Sequence, residues 1–264
     1  MITNKDVFVA LEKFAPLPLQ ESYDNAGLQV GLTEAETSGV LLCLDVTEAI
    51  IAEAEHQGCN LVVSHHPLLF KGLKCVSNET MVQRCLCSAI RKGITIYAAH
   101  TNLDNAPGGV NAEMASRIGL KNTRVLEPLP TSLAGEACGS GLIGELPQAE
   151  KSEDFLKRIK KVFNAEILMH NAFLERPIQR VALCGGAGDF LLERAISEGA
   201  DAFLTGEMHY HVYFGHEQQI QIGVFGHYES EQYTEVLLQR ILHEALPDLR
   251  TVITNQSTNP VQYL

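Results

Sequence analysis

Apolar residues along this chain collect in short, nearly continuous runs, separated by longer stretches with helical spacing. The runs GVLLCLD (39–45), NLVVSHH (60–66), GITIYAAH (93–100), RVALCGG (180–186), ADAFLTG (200–206) and QIGVFGH (221–227) predict strands. Between them, spacing near 3.6 residues predicts helices over 47–57, 79–91, 110–118, 190–198 and 230–244. The opening stretch, MITNKDVFVALEKF, reads as a capped amphipathic helix rather than the charged-then-apolar start of a signal peptide. Strands apolar on both faces and interleaved with helices belong to mostly parallel sheets that are covered on both sides. The fold class expected is α/β.

Residues 121–180 break the rhythm. They hold the Gly-, Pro- and Ser-rich stretch PLPTSLAGEACGSGLIGELP and a single helical pattern, 152–162, and read as a crossover. The chain accordingly divides into a first α/β half, 1–124, and a second, 125–264, with 125–180 as the crossover. The halves also look related. LLCLDVTEAIIAEAEHQGCNLVVSHH aligns without a gap on ALCGGAGDFLLERAISEGADAFLTGE, so that Cys43 meets Cys184 and Gly58 meets Gly199, both at an offset of 141. His100 and Asp104 are four apart after one strand, as are His227 and Glu231 after another. An internal duplication accounts for this, since unrelated strand–helix–strand units share a pattern but seldom a register.

Charge and composition narrow the functional classes. Lys and Arg number 20 against 32 Asp and Glu, a net charge of −12 that disfavours binding to a nucleic-acid polyanion. No window approaches the roughly 20 apolar residues of a membrane span. Seven cysteines, none in a C-x-x-C pair, exclude a zinc ribbon and read as reduced core residues of a cytoplasmic protein.

In open parallel sheets, ligands gather at the carboxyl ends of strands, and the polar clusters of this chain fall there. His65 and His66 follow one strand and precede Pro67. Neighbouring side chains on a strand point to opposite faces, but at a strand end the chain turns, and each imidazole can then serve its own ion. Four-residue spacing puts His227 and Glu231 on one helix face, which suits a clamp for a divalent ion, or simply a helix start decorated with acids. Asp104, in HTNLDNAPGG, either binds metal or satisfies turn amides. Taken together, three imidazoles and two carboxylates suit two ions that share a bridging carboxylate and activate a bridging water. Zn, Fe, Mn and Co all accept such mixed donors.

Other residues are weighed beside these. His100 lies four before Asp104, and Glu207 aligns with His66 at the same offset of 141; both are candidates for proton handling or for orienting a ligand. His209 and His211 read as peripheral. Asp24 and Asn25 either hold their loop or touch substrate. Residues 185–189, GGAGD, resemble a phosphate-cradling turn but fit neither nucleotide-binding pattern. Lys71 and Lys74 are positioned to meet an anion or are ordinary surface lysines. No G-x-S-x-G elbow is present.

The blocks SYDNAGLQVG (22–31), SHHPLLFKGL (64–73), AAHTNLDNAPGGVN (98–111), GGAGDF (185–190), ADAFLTGEMHYH (200–211) and GHYESE (226–231) resemble one family throughout. It is the dinuclear-metal family of GTP cyclohydrolase I type 2 homologues, also called NGG-one-interacting-factor-three-like proteins. The resemblance implies that His65, His66, Asp104, His227 and Glu231 are ligands of two divalent transition-metal ions, with Glu231 bridging, at strand carboxyl ends between the halves. It further implies a ring-shaped homohexamer, and 264 residues leave no room for the extra domain that some relatives carry. Two functions are compatible with it. One is a metal-dependent hydrolase of a small nucleotide or heterocycle, in which Glu207 or His100 handles protons. The other is a binding or regulatory protein whose centre is structural or senses metal.

Overall fold

The computed structural model describes residues 1–264. Its strands are β1 Gly27–Val30, β2 Val40–Cys43, β3 Leu61–Ser64, β4 Thr95–Ala98, β5 Lys121–Leu133, β6 Glu136–Glu150, β7 Met169–His170, β8 Ile178–Cys184, β9 Ala202–Thr205, β10 Gln221–Val224 and β11 Thr251–Ile253. Its helices are α1 Asn4–Phe14, α2 Glu48–His56, α3 Met81–Lys92, α4 Thr101–Asp104, α5 Val110–Ile118, α6 Ser152–Val162, α7 Leu192–Ser197, α8 His227–Glu231 and α9 Thr234–Ala245. Two compact units result: Met1–Leu103 with Thr234–Gln262, and Asp104–Tyr233 with Tyr263–Leu264. The sequence pattern divides the chain near residue 124. In the structure the last helix and strand return to the first unit.

The first unit carries a five-stranded sheet in the order β1-β4-β3-β2-β11. Every residue of β2, β3 and β4 is buried, so the sheet is covered on both faces. One face packs Leu41, Val62 and Ile96 against Ile50, Ile51 and Ala54 of α2 and Cys85 and Ala89 of α3. On α1, Phe8 stacks on Tyr97 of β4, with ring centroids 4.6 Å apart. A capping box starts α1: Thr3 accepts from the Asp6 amide, and the Asp6 carboxylate accepts from the Thr3 amide. This satisfies two amides that would otherwise lack helical partners.

The second unit carries a six-stranded sheet, β5-β6-β8-β9-β10-β7. Phe155 and Ile159 of α6 and Met114 of α5 cover one face, and Leu192 and Ala195 of α7 cover the other. Three parallel strands stand in equivalent order in the two sheets, β2, β3, β4 and β8, β9, β10. Cys43 pairs with Ser64 as Cys184 pairs with Thr205. In each unit the third strand also takes a short antiparallel neighbour, β1 on β4 and β7 on β10. The two α/β halves are therefore related in register as well as in sequence.

Two expectations need correction. The stretch read as a crossover contains a long antiparallel hairpin, β5–β6, that turns through Ala134 and Gly135, both at positive φ. Its sequence hides it, because β5 is exposed along most of its length and carries Pro128 and Pro130, so no apolar alternation appears. The cysteines are not all core residues either: Cys43, Cys59, Cys85, Cys138 and Cys184 are buried, but Cys75 is exposed and Cys87 only half-buried. All seven are free thiols. No helix is long and apolar enough to cross a membrane.

Candidate metal centre

Three imidazoles meet in the first unit. Strand β3 ends at Ser64, whose hydroxyl donates to the His66 carbonyl at 2.7 Å and closes a turn. The alternation of side chains stops there, and the adjacent rings of His65 and His66 come within 4.9 Å of each other. His100, two residues beyond β4, joins them at 5.2 and 5.3 Å. Each ring offers one nitrogen, and the three nitrogens lie within 4.8 Å of one another, so the cluster could hold a metal ion.

The opposite nitrogen of each ring is held by an oxygen. His65 Nδ1 lies 2.8 Å from the Ala99 carbonyl, His66 Nδ1 2.7 Å from Asp45 Oδ1, and His100 Nδ1 2.7 Å from Asp24 Oδ1. A carbonyl or carboxylate can only accept, so Nδ1 carries the proton and Nε2 presents its lone pair. Burial pulls the Asp24 carboxyl upward, but hydrogen bonds from His100 and Thr101 outweigh it and hold the group at about 2. Asp45 behaves alike: burial raises it, while His66 and Thr258 bring it below the ordinary carboxylate range.

The second unit holds a histidine and two acids at the end of its sheet. Gly226, at φ +107°, turns the chain from β10 into α8, which begins at His227. His227 Nε2 and the buried Glu231 Oε2 are 3.1 Å apart, as the four-residue spacing predicts. His227 Nδ1 lies 2.8 Å from Glu207 Oε1. Asp104 ends α4, and its carbonyl accepts from the Asn111 side chain at 3.1 Å. Burial pushes the nearby Cys184 thiol well up, and the charges of Asp104 and Glu231 push it further.

The GGAGD turn has a different use from a phosphate cradle. The amides of Gly185, Gly186 and Gly188 donate to Asn111 Oδ1, Ser230 Oγ and Thr205 Oγ1, each at 3.0 Å. Gly186 sits at φ +58°, and a Cβ there would lie 2.5 Å from Glu231 Oε1. The glycine makes room for the carboxylate. His209 is peripheral, paired with Asp189 at 2.5 Å. Asp24 and Asn25 hold their loop, and Lys71 and Lys74 are exposed.

Sequence reasoning missed Asp45. A single carboxylate after LLCL has no spacing signature, but the pairing of β2 with β3 carries one. Cys43 stands opposite Ser64, which places Asp45 and His66 each two residues beyond a paired position.

Comparison with known proteins identifies the family. The family model for Duf34/NIF3 (NGG1p interacting factor 3) matches residues 2–260. A GTP cyclohydrolase 1 type 2 homolog of Clostridium acetobutylicum is 31% identical over 244 residues, covering 92% of this chain and 90% of that protein. One of the same name from Campylobacter jejuni is 32% identical over 265 residues, covering 98% of each. A solved Staphylococcus aureus protein superposes with a TM-score of 0.90 at 25% identity, covering 100% of this chain and 99% of that one. The chain belongs to the Duf34/NIF3 family.

Proposed function

We propose that the chain is a dinuclear metal-dependent hydrolase of a small nucleotide or heterocycle, with His65, His66, Asp104, His227 and Glu231 as the ligands of two divalent transition-metal ions. The observation that carries this is the common treatment of the histidines. Ala99, Asp45 and Glu207 each engage the Nδ1 of one proposed ligand, as Asp24 does for His100. Oxygen partners of this kind orient metal-ligating imidazoles and raise their basicity. Structural histidines of a core have no need of so uniform an arrangement.

Mixed nitrogen and oxygen donors suit Zn, Fe, Mn or Co. Bound ions would lower the pKa of coordinated water and polarise a ring C=N, carbonyl or phosphoryl group. Glu231, buried on α8, is the proposed bridging carboxylate. Glu207 acts as a positioning residue by holding His227 through Nδ1. His100, aimed by Asp24, is the group that moves protons. The proposed assembly is a homohexameric ring, as the family resemblance implies, and the seven free thiols support a cytoplasmic setting.

The relatives' name, GTP cyclohydrolase 1 type 2 homolog, makes a guanine nucleotide the first substrate to try. The metal-loaded chain should turn over GTP or a related nucleotide or heterocycle, and Asp104→Asn should abolish that turnover while leaving the protein folded. Absence of metal-dependent turnover across phosphate and purine substrates would replace the hydrolase with a binding or regulatory protein.

A further inference from the structure

A cavity of about 610 Å³ lies on the first unit, lined by α2, α3 and the loop that leads into α3. Small-molecule sites enclose about 300–1,000 Å³, so it is of ligand size. None of the proposed metal ligands lines it. α3 runs back along the sheet from the strand ends that carry the imidazoles, so Arg91 and Lys92 in its last turn stand at the far end.

The walls are fixed from within. Buried Gln83 accepts from the Ser77 hydroxyl at 2.9 Å and from the Thr80 amide at 3.1 Å. The Cys87 thiol donates to the Ser77 carbonyl at 3.3 Å. Arg84 donates to the carbonyls of Asn78 and Glu79 at 3.4 and 3.2 Å, and to Glu48 of α2 at 2.9 Å. At the other end of α3, Lys92 pairs with Glu55 of α2. Loop and helices therefore hold the cavity open before any ligand arrives.

Charge and lining together define what fits. Glu48 and Glu55 balance Arg84 and Lys92, whereas Arg91, on the exposed side of α3, meets no carboxylate of the chain. One uncompensated guanidinium thus faces the cavity in a chain whose net charge is −12. Its planar fork of donors matches two oxygens of a phosphate. The Ser88 hydroxyl and the Asn78 side-chain amide line the same cavity and bond to no group of the chain. Val76 is the only aliphatic side chain of the lining, and no aromatic ring is there to stack a base.

We propose that this cavity binds a sugar phosphate, with the phosphate on Arg91 and the sugar hydroxyls on Ser88 and Asn78. A hydroxyl-rich body satisfies the polar lining, which a planar heterocycle would leave unpaired. The site is independent of the hydrolase reading.

Titration calorimetry of the full chain with ribose 5-phosphate and glucose 6-phosphate tests this, with ribose, glucose and inorganic phosphate as controls. Either ester should bind, the free sugars should not, and inorganic phosphate should bind more weakly. Arg91→Gln should weaken ester binding about tenfold or more, the scale of a lost hydrogen bond to a charged group. Ser88→Ala should weaken it about threefold. Neither side chain is buried, and urea unfolding of the variants checks that they fold as the unsubstituted chain does. A phosphate held at the metal centre instead would bind Arg91→Gln undiminished, and that result would overturn the proposal. Failure of both esters to bind would do the same, as would inorganic phosphate binding as tightly as they do. Neither substitution touches a proposed metal ligand, so metal content on the same samples decides the metal proposal separately.

Discussion

Asp45 Oδ1 lies 2.7 Å from His66 Nδ1, and the two residues stand just beyond the ends of neighbouring parallel strands, each two positions past the Cys43–Ser64 pair. The carboxylate is itself held by the Thr258 hydroxyl at 2.7 Å. It fixes both the tautomer and the direction of the ring. Replacing such a partner lowers metal affinity by about 10–100-fold while the ligands stay in place. Asp45→Ala should therefore bind metal about 10–100-fold more weakly, measured by competition with a chelator. Unchanged affinity would mean that the ring needs no external orientation.

Gly186 makes the same kind of test in the second unit. Alanine there meets two obstacles: a left-handed backbone at φ +58°, and Glu231 Oε1 at 2.5 Å from the new carbon. The backbone strain alone costs about 1–2 kcal/mol. Gly199 isolates that part, because it also has a positive φ, +73°, but its nearest neighbour is Arg180 Nη1 at 3.7 Å. Gly186→Ala should lose metal as Glu231 is displaced, whereas Gly199→Ala should be destabilised by about 1–2 kcal/mol and keep its metal.

Glu235 on α9 predicts a pH dependence. Burial, with the charges of Asp45 and Glu53 acting in the same direction, raises its carboxyl to about 7, although the Leu44 amide donates to it at 3.1 Å. The folded chain therefore holds this proton more tightly than the unfolded chain does. The associated stability is complete below the unfolded value near 4.5 and is lost as pH rises through about 7. Since each pKa unit between the folded and unfolded chains is worth about 1.4 kcal/mol, the loss is on the order of 3 kcal/mol. Glu235→Gln keeps an acceptor for Leu44 and carries no charge. Urea unfolding should show it nearly level with the unsubstituted chain at pH 5 and about 2–3 kcal/mol more stable at pH 8. Equal stability at both values would contradict the raised carboxyl.

Much of this architecture is legible in the sequence alone. The offset of 141 that joins Cys43 to Cys184 reappears in the strands themselves, since β3 moved along the chain by that offset coincides with β9. Short apolar runs buried on both faces leave an unmistakable trace, and so does the four-residue spacing of His227 and Glu231 on one helical turn. The β5–β6 hairpin leaves none, because its exposed strand is filled with polar residues and prolines. The partners of the imidazoles are hidden for another reason. Asp45 reaches His66 across a strand pairing, and Asp24 reaches His100 from 76 positions away, so neither contact shows in local spacing. Gly186 looks like part of a phosphate loop, and only the position of Glu231 reveals what its missing side chain makes room for.

Elemental analysis of the purified chain, with His66→Ala prepared in parallel, is the most direct test of the proposed centre. About two transition-metal ions per chain, falling in the variant, is the expected result, in keeping with a dinuclear site. Little metal in chelator-free preparations, with His66→Ala no different, would contradict it and leave these imidazoles and carboxylates without a catalytic role.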